Sequence, residues 1–474
     1  MRSNYRSCLI ASALALVVNA VPVKRANGLT VLKTTTTPNG FHSAASGWNS
    51  YGLQANNAVN PNWKYDQDNV IQQCDVLADT LNINGGYCSL DSGWSTNNGD
   101  DYARLLYDTT IFDLPTLASH LHSKNLNLGV YVLPGAFCSD GNKTIYGTNV
   151  MLNSTFSGNN DGFLRCDFDF EKPGVQEWHN SVVNLFAQWG VDLIKLDFVT
   201  PGSPDNGGHL PANNSGSVIA YHNAIKQASR PMRLDISWKL ERNATFYDIW
   251  KTNADTMRTD QDINNSGNTT FVAWETVQRA IDNYRQYIVL QIPKNLPLSI
   301  YPDMDNMYVG NNQNLTGVTD AQRQTIATHW IGAAANRITG SDLTQLDSYG
   351  TNLLTNSQAL AAANFTAQYP MQPRNPGTGS TDPQQLQAWI AGPDSTGVAL
   401  AILANYGPDQ GQGGFNTTLS GKQTVSITMQ DLGLENGSYQ VQDIWQNVSV
   451  GSKNSSLSAV LGEGESMFYK LTPA

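Results

Sequence analysis

The chain has 474 residues, 40% of them hydrophobic and only 14% charged, which is length enough for a large core and two domains. Its 39 acidic residues outnumber 28 basic ones for a formal charge of −11. That balance repels nucleic acid and anionic membrane surfaces and excludes both as partners. Arg2 and Arg6 precede an apolar stretch from Cys8 to Val18, and Val18-Asn19-Ala20 offers a small-residue cleavage site. Residues 1–20 therefore read as a signal peptide, since the stretch is shorter than the ~20 residues of a membrane span. Lys24-Arg25 reads as a dibasic processing site, making 21–25 a short propeptide and leaving 24 basic against 39 acidic residues in the mature chain. Secretion is the expected localisation. Sequons at Asn142, Asn153, Asn243, Asn314, Asn416 and Asn447 fit that route and imply N-glycans. Four cysteines remain, Cys74, Cys88, Cys138 and Cys166. In an oxidising compartment they form two disulfides, and of the three pairings the sequence-local one, Cys74–Cys88 with Cys138–Cys166, is favoured.

In chain order, "SGWNSYG" opens a series in which helix patterns feed strands. "DNVIQQCDVLADTL" precedes "GGYCSLDSGW", and "DLPTLASHLHSKNL" precedes "LGVYVLPGA". "PGVQEWHNSVVNLFAQW" carries apolar residues at helical spacing between a proline and Gly190, and runs straight into "GVDLIKLDFV". "VIAYHNAIKQAS" then precedes "PMRLDISW". Candidate strands end near Trp48, Asp91, Tyr131, Asp197, Ser237, Thr259, Asp305 and Asp342. Eight such units predict an α/β fold, a (β/α)8 TIM barrel over residues 26–375, with polar chemistry at the C-terminal strand ends. A doubly wound sheet would want G-x-G-x-x-G after its first strand, and none is there. After the Pro/Gly-rich "PRNPGTGSTDPQQ", residues 376–474 read as short strands separated by turns. They predict a C-terminal antiparallel β-sandwich domain that packs on the barrel.

Lys195 and Asp197 share one face at the end of an otherwise apolar strand, where an unpaired charge is costly. Further charges stand near other strand ends: Asp91, Arg258, Asp262 and Asp305. Hydrolysis of a glycosidic bond needs two carboxyl groups flanking the anomeric carbon, and water completes it. No H-E-x-x-H or other ligand cluster calls for a metal, and no cofactor is expected. Trp48, Tyr51, Trp94, Tyr131 and Trp238 could supply apolar platforms for sugar rings, although each alone reads more readily as core or second-layer packing.

"FAQWGVDLIKLD" resembles the fourth barrel strand of glycoside hydrolase family 27, the retaining α-galactosidases and α-N-acetylgalactosaminidases. "GWNSYG", "LDSGW", "MRTDQDI", "YPDMDNMYVGN" and "SDLTQLD" resemble further family motifs in the same order, so the likeness spans almost the whole mature chain. The resemblance implies that Asp197 is the nucleophile, ionised beside Lys195, and that Asp262 is the general acid/base. It assigns Tyr51, Asp91, Ser92, Tyr131, Lys195, Ser237, Trp238, Arg258 and Asp305 to substrate binding. Ser92 stands where α-galactosidases carry a second consecutive aspartate, Ser237 where they carry a glutamate that contacts the 2-hydroxyl, and Val199 where a cysteine is usual. A serine like Ser237 also occurs in relatives that accept a 2-acetamido sugar, but Leu240 departs from their small residue. The expectation is a secreted retaining α-glycosidase acting on oligo- or polysaccharides with terminal α-D-galactosyl residues. The alternatives are the same mechanism on α-N-acetylgalactosamine, β-L-arabinopyranose or an isomaltose-releasing α-glucan substrate, or a catalytically silent sugar-binding protein.

Overall fold

The computed structural model describes residues 29–374 and 384–474. The predicted signal peptide and propeptide, and the boundary placed between 375 and 376, lie outside the described residues.

Eight parallel strands form one sheet: β1 (Ser46–Asn49), β2 (Tyr87–Leu90), β3 (Asn127–Val132), β4 (Val191–Leu196), β5 (Arg233–Ile236), β6 (Thr256–Arg258), β7 (Tyr301–Asp303) and β8 (Arg337–Thr339). Their order is 7-6-5-4-3-2-1-8. The curl closes where the Asn336 N–H donates to the Pro302 carbonyl at 3.2 Å and the Met307 N–H to the Ile338 carbonyl at 2.8 Å. This is the expected barrel. Its helices include α1 (Gln67–Asp75), α2 (Leu114–Ser123), α3 (Val175–Trp189), α4 (Gly216–Gln227), α5 (Ala244–Asn253), α6 (Trp274–Val289) and α7 (Asp320–Gly332).

Helix α3 shows how local sequence sets this geometry. The Gly174 N–H donates to Glu177 Oε2 at 3.0 Å, so the first turn is closed by its own acidic side chain. The helix buries Val175, Trp178, Val182, Phe186 and Trp189, and ends on Gly190 at φ +87°. A Cβ at Gly190 would stand 2.8 Å from Ala118 Cβ in α2. Glycine thus supplies both the left-handed turn and the close approach that let β4 begin one residue later.

Strand alternation divides the barrel interior into layers. Ala45, Tyr87, Leu193 and Ile338 form an apolar plug toward the N-terminal end. Beyond it the inward residues turn polar, and Asn49, Ser89, Lys195, Asp235, Arg258 and Asp303 surround a void of about 20 Å³. Register places Tyr131 of β3, Lys195 of β4 and Asp235 of β5 side by side.

The C-terminal strands are antiparallel: β9 (Gln372–Pro373), β10 (Leu386–Ala391), β11 (Ala399–Asn405), β12 (Gln423–Thr428), β13 (Tyr439–Asp443), β14 (Val448–Lys453), β15 (Ser456–Leu461) and β16 (Glu465–Pro473). Six make a sheet in the order 9-10-11-16-13-14, and β12 pairs with β15. Alternation gives the large sheet two apolar faces. Ala388, Ile390, Ala401 and Leu403 meet Val425, Ile427 and Leu457 in a separate core. Trp389, Ile402 and Phe468 join the core of the barrel. Among the described residues no helix is long and apolar enough to cross a membrane. Both sequence-local disulfides are present, and the asparagines of the six sequons named above are exposed.

A buried chain of polar groups fastens the two parts. Trp389 Nε1 donates to the Tyr406 hydroxyl, which lies 2.8 Å from His329 Nε2 of α7. The hydroxyl and the imidazole share one hydrogen bond, and the buried imidazole is neutral. Burial pushes His329 down to about 3, below the ~6.5 of a free imidazole. Between those values the unfolded chain binds a proton that the folded chain refuses, so this site loses stability as pH falls through that window. His329→Gln is expected to cost about 1–3 kcal/mol at pH 7 in urea unfolding. The gap from wild type should shrink by the order of 2 kcal/mol at pH 4.5, because only the wild type carries the penalty; a gap that widens on acidification contradicts the assignment.

Candidate active site

The sequence-predicted carboxylates converge at the C-terminal mouth of the barrel. Asp91, one residue past β2, is 2% exposed and accepts from Lys195 Nζ at 2.8 Å. Its backbone is pinned on both sides: the N–H donates to Ser50 Oγ and the carbonyl accepts from the Tyr65 hydroxyl, each at 2.8 Å. The Lys195 ammonium lies 5.8 Å from the Tyr51 ring centre and 5.6 Å from that of Tyr131, so its charge is balanced by one carboxylate and two aromatic faces. Asp197 follows β4. Its N–H donates to the Val132 carbonyl and its Oδ1 accepts from the Phe198 N–H, both at 2.9 Å.

Arg258 forms the second node. Its side chain is 2% exposed, and Nη2 meets Asp262 Oδ1 at 2.7 Å and Asp305 Oδ2 at 3.2 Å. Nη1 donates to Ser237 Oγ at 3.4 Å, and Nε is 3.9 Å from Asp303 Oδ2. Asp305 is aimed by the Ile263 and Asn306 N–H groups, which donate to its two oxygens at 2.7 and 2.6 Å. From α6, Arg279 holds the Asp262 carbonyl at 2.6 Å and Asp260 Oδ2 at 2.9 Å. The loop that carries Asp262 is therefore fixed from both sides.

Burial dominates the electrostatics. It raises the Asp197 carboxyl above its usual range; Lys195 pulls it back, and Asp262 and Asp91 push it further up. Burial likewise pushes Asp305 up to about 7 against the opposing pull of Arg258. For Lys195 burial opposes the charge, but Asp91 and Asp197 outweigh it and the ammonium is held above its ordinary value. Arg258 is held up in the same way by Asp305, Asp262 and Asp303. The Tyr131 phenol is raised by burial and then by Asp197, and Tyr51 by burial and then by Asp262, so both remain neutral donors. Asp262 acts electrostatically on Asp197, Lys195 and Tyr131 alike, which puts the β4 and β6 carboxyl groups in one field.

Residues 170–364 match the family model described as alpha galactosidase A, and 383–471 match that of the alpha galactosidase C-terminal beta sandwich domain. Alpha-galactosidase 3 of Hypocrea jecorina is 51% identical over 455 residues, spanning 94% of this chain and 73% of that one. Putative alpha-galactosidase 8 of Emericella nidulans is 39% identical over 414 residues, 85% of this chain and 82% of that one. The chain belongs to the α-galactosidase family, glycoside hydrolase family 27. It is a glycoside hydrolase. The crystal structure of a family 27 β-L-arabinopyranosidase from Geobacillus stearothermophilus has the same fold, with a TM-score of 0.75 at 21% identity over 91% of this chain and 98% of that one.

Against the family 27 expectations, the mouth brings together Tyr51, Asp91, Tyr131, Lys195, Asp197, Ser237, Arg258, Asp262 and Asp305. Ser92 is exposed beside it and its carbonyl accepts from Gln54 Nε2 at 2.7 Å. Trp238 is half-buried, its ring 5.3 Å from that of Phe198. Two of the proposed platforms are core residues instead. Trp48 is fully buried and donates to the Ser341 carbonyl at 2.9 Å, and Trp94 is 1% exposed and donates to the Tyr131 carbonyl at 2.8 Å. Asp235 and Asp303 had not been singled out, yet both stand in the barrel beneath the site. Their signal was a carboxylate within the strand segments β5 and β7, where an unpaired charge is costly. Ser50 and Tyr65, which fix Asp91, carry no such signal.

Replacing Arg258 by methionine keeps the stem but strands Asp262, Asp303 and Asp305 together. A loss of about 3–5 kcal/mol in chemical unfolding is expected, together with loss of sugar binding. Wild-type stability in Arg258→Met would show that the arginine does not hold the cluster.

Proposed function

We propose that this protein is a secreted enzyme that releases terminal α-D-galactosyl residues from oligo- or polysaccharides with retention of configuration. The observation that carries the mechanism is the placement of Asp197 just past β4 and of Asp262 in the loop beyond β6, both at the C-terminal mouth of the barrel. Asp197, 7% exposed, attacks the anomeric carbon while the glycosidic C–O bond breaks and Asp262 delivers a proton to the leaving oxygen. Asp262 then takes a proton from water, whose oxygen displaces Asp197 from the same carbon. Two inversions give retention. The exposures suit the roles, because Asp262, at 22%, must meet both leaving group and water. Asp197, Asp91 and Asp262 flank a carbon that becomes cation-like in the transition state, where such charge is most favourable. Lys195 keeps the buried nucleophile ionised, and Asp91, Arg258 and Asp305 offer hydrogen bonds to ring hydroxyls.

A second reading, the same chemistry on another pyranoside, draws on Ser237 and Ser92. Serine at 237 is shorter than the family's glutamate and leaves room for a larger group beside C2, and Leu240 is buried. The exposed sequons and two disulfides support passage through an oxidising secretory route.

Aryl glycosides of galactose, N-acetylgalactosamine, arabinopyranose and glucose, with NMR of the first-formed anomer, test the reading. α-Galactosides should be cleaved fastest and yield the α-anomer first; preference for another sugar gives the second reading, and a first-formed anomer opposite to that of the substrate ends the double-displacement mechanism. Asp197→Ala should lose at least about 10⁴-fold in kcat with its fold intact. In Asp262→Ala, glycosylation should fall least for leaving groups that need no proton; near-normal turnover in the first variant, or an equal loss across leaving groups in the second, would remove the residue from its role.

Lysine favours the charged form of Asp197, so Lys195→Met should move the acidic limb of kcat/KM to higher pH. An unmoved limb means that another group sets it.

A further inference from the structure

A cavity stands at the opposite end of the barrel from Asp197. It encloses about 350 Å³ at the N-terminal strand ends, and its walls include Arg233, Arg337, Tyr87 and Asn364 but no acidic residue. Arg233, at the start of β5, is about 13 Å along the strand from Ser237 by the usual rise per residue.

Arg233 is 3% exposed. Its Nη2 donates to the Ser43 carbonyl at 2.9 Å, its Nε reaches the Tyr87 hydroxyl at 3.5 Å, and its guanidinium lies 4.1 Å from the Phe41 ring centre. Nη1 is buried with no partner. The half-buried Arg337 has no hydrogen bond from its guanidinium and no carboxylate within 4.0 Å among the described residues. Buried Arg258 is matched by Asp262 and Asp305 and buried Arg323 by Asp347, whereas Arg165, over the Phe137 ring, like Arg233 over Phe41, has no carboxylate partner among the described residues. Asp235 follows Arg233 on the same strand face, but burial holds its carboxyl well above the usual range, and it accepts from Asn336 Nδ2 at 3.1 Å. It is a weak counter-charge. In a chain of net charge −11, a cavity walled by two arginines without carboxylate partners and by no acidic residue is suited to an anionic ligand.

The cavity has an apolar annex. A second space of about 240 Å³ shares Ser46, Asn84, Ile331, Arg337 and Asn364 with the first, and its other walls include Leu81, Ile83, Leu353, Leu354 and Leu360. Arg337 stands on the shared wall. We propose that this end of the barrel binds an amphiphilic anion of the alkyl or aryl carboxylate class, its head between Arg233 and Arg337 and its apolar body in the leucine-lined annex. A bare anion would leave the annex empty; a neutral lipid would leave both guanidinium groups unpaired.

Isothermal titration of octanoate, 1-octanol and inorganic phosphate into the full chain tests this. Octanoate is expected to bind at one site, with octanol and phosphate each at least tenfold weaker. Arg337→Gln should weaken octanoate at least tenfold and leave glycoside turnover unchanged, since the residue is remote from Asp197. Leu360→Glu, at a position 38% exposed and tolerant of charge, should weaken octanoate by a similar factor with both arginines in place. Failure of octanoate to bind the wild type, or equal binding by Arg337→Gln, overturns the proposal. Phosphate binding as tight as octanoate overturns its amphiphilic part.

Discussion

Much of the structure depends on a charge balance struck in the mouth of the barrel, centred on the desolvated guanidinium of Arg258. A lone arginine at 2% exposure would be prohibitively costly, and so would Asp262, Asp303 and Asp305 packed without it. Together they form a network whose members β6, β7 and their loops must hold in register. Lys195 and Asp91 repeat the arrangement across the barrel between β4 and β2. The two nodes share a deficit of positive charge: Lys195 and Arg258 face Asp91, Asp197, Asp235, Asp262, Asp303 and Asp305. Burial accordingly lifts Asp197, Asp235 and Asp305 toward protonation. A site poised in this way favours any bound species that develops positive charge, which is what a sugar ring does at the moment its glycosidic bond breaks.

The strand ends and the Lys195–Asp197 pair were legible in the sequence because a strand covered on both faces has little freedom. Every residue of "VDLIKL" must be apolar or partnered, so charges there announce a site. Arg258 and Asp262 stood out as charges near a strand end, but their roles were legible only through family likeness, since Asp262 lies on an irregular loop beyond β6 and carries no periodic signal. Their contact at 2.7 Å is a product of the loop's path. The fate of Trp48 and Trp94 was hidden for a related reason. A tryptophan near a strand end faces either the mouth or the surrounding helices, and the deciding partner of Trp48 is a carbonyl 293 residues away. The N-terminal cavity was equally hidden, because Ser43, Arg233 and Arg337 meet only once the barrel has closed.

The same closure explains why the two ends differ. At the C-terminal end, long loops bring in carboxylates enough to exceed the cations. At the N-terminal end the connections are shorter and the cavity walls are residues of the strand starts themselves, Arg233 and Arg337, with Tyr87 and Ile338 plugging the axis. Asp235 could serve either end, but its hydrogen bond to Asn336 and its distance from solvent leave it a poor partner for both.

The C-terminal domain belongs to this electrostatic scheme through one helix. On one side of α6, Trp274 Nε1 and Gln278 Nε2 donate to the Tyr406 carbonyl at 2.8 and 3.0 Å. One residue on, Arg279 grips Asp260 and the Asp262 carbonyl, and its Nη1 donates to Gln412 Oε1 at 2.6 Å. A single arginine therefore joins a loop of the sandwich to the backbone of the proposed acid/base. Packing Trp389 and Ile402 against the barrel buries apolar area, but many surfaces would do that. What Tyr406, Gln412 and α6 add is direction: they fix the height and rotation of α6, hence where Asp262 stands relative to Asp197. A domain with no reacting group of its own contributes to the site by holding still the helix that positions one.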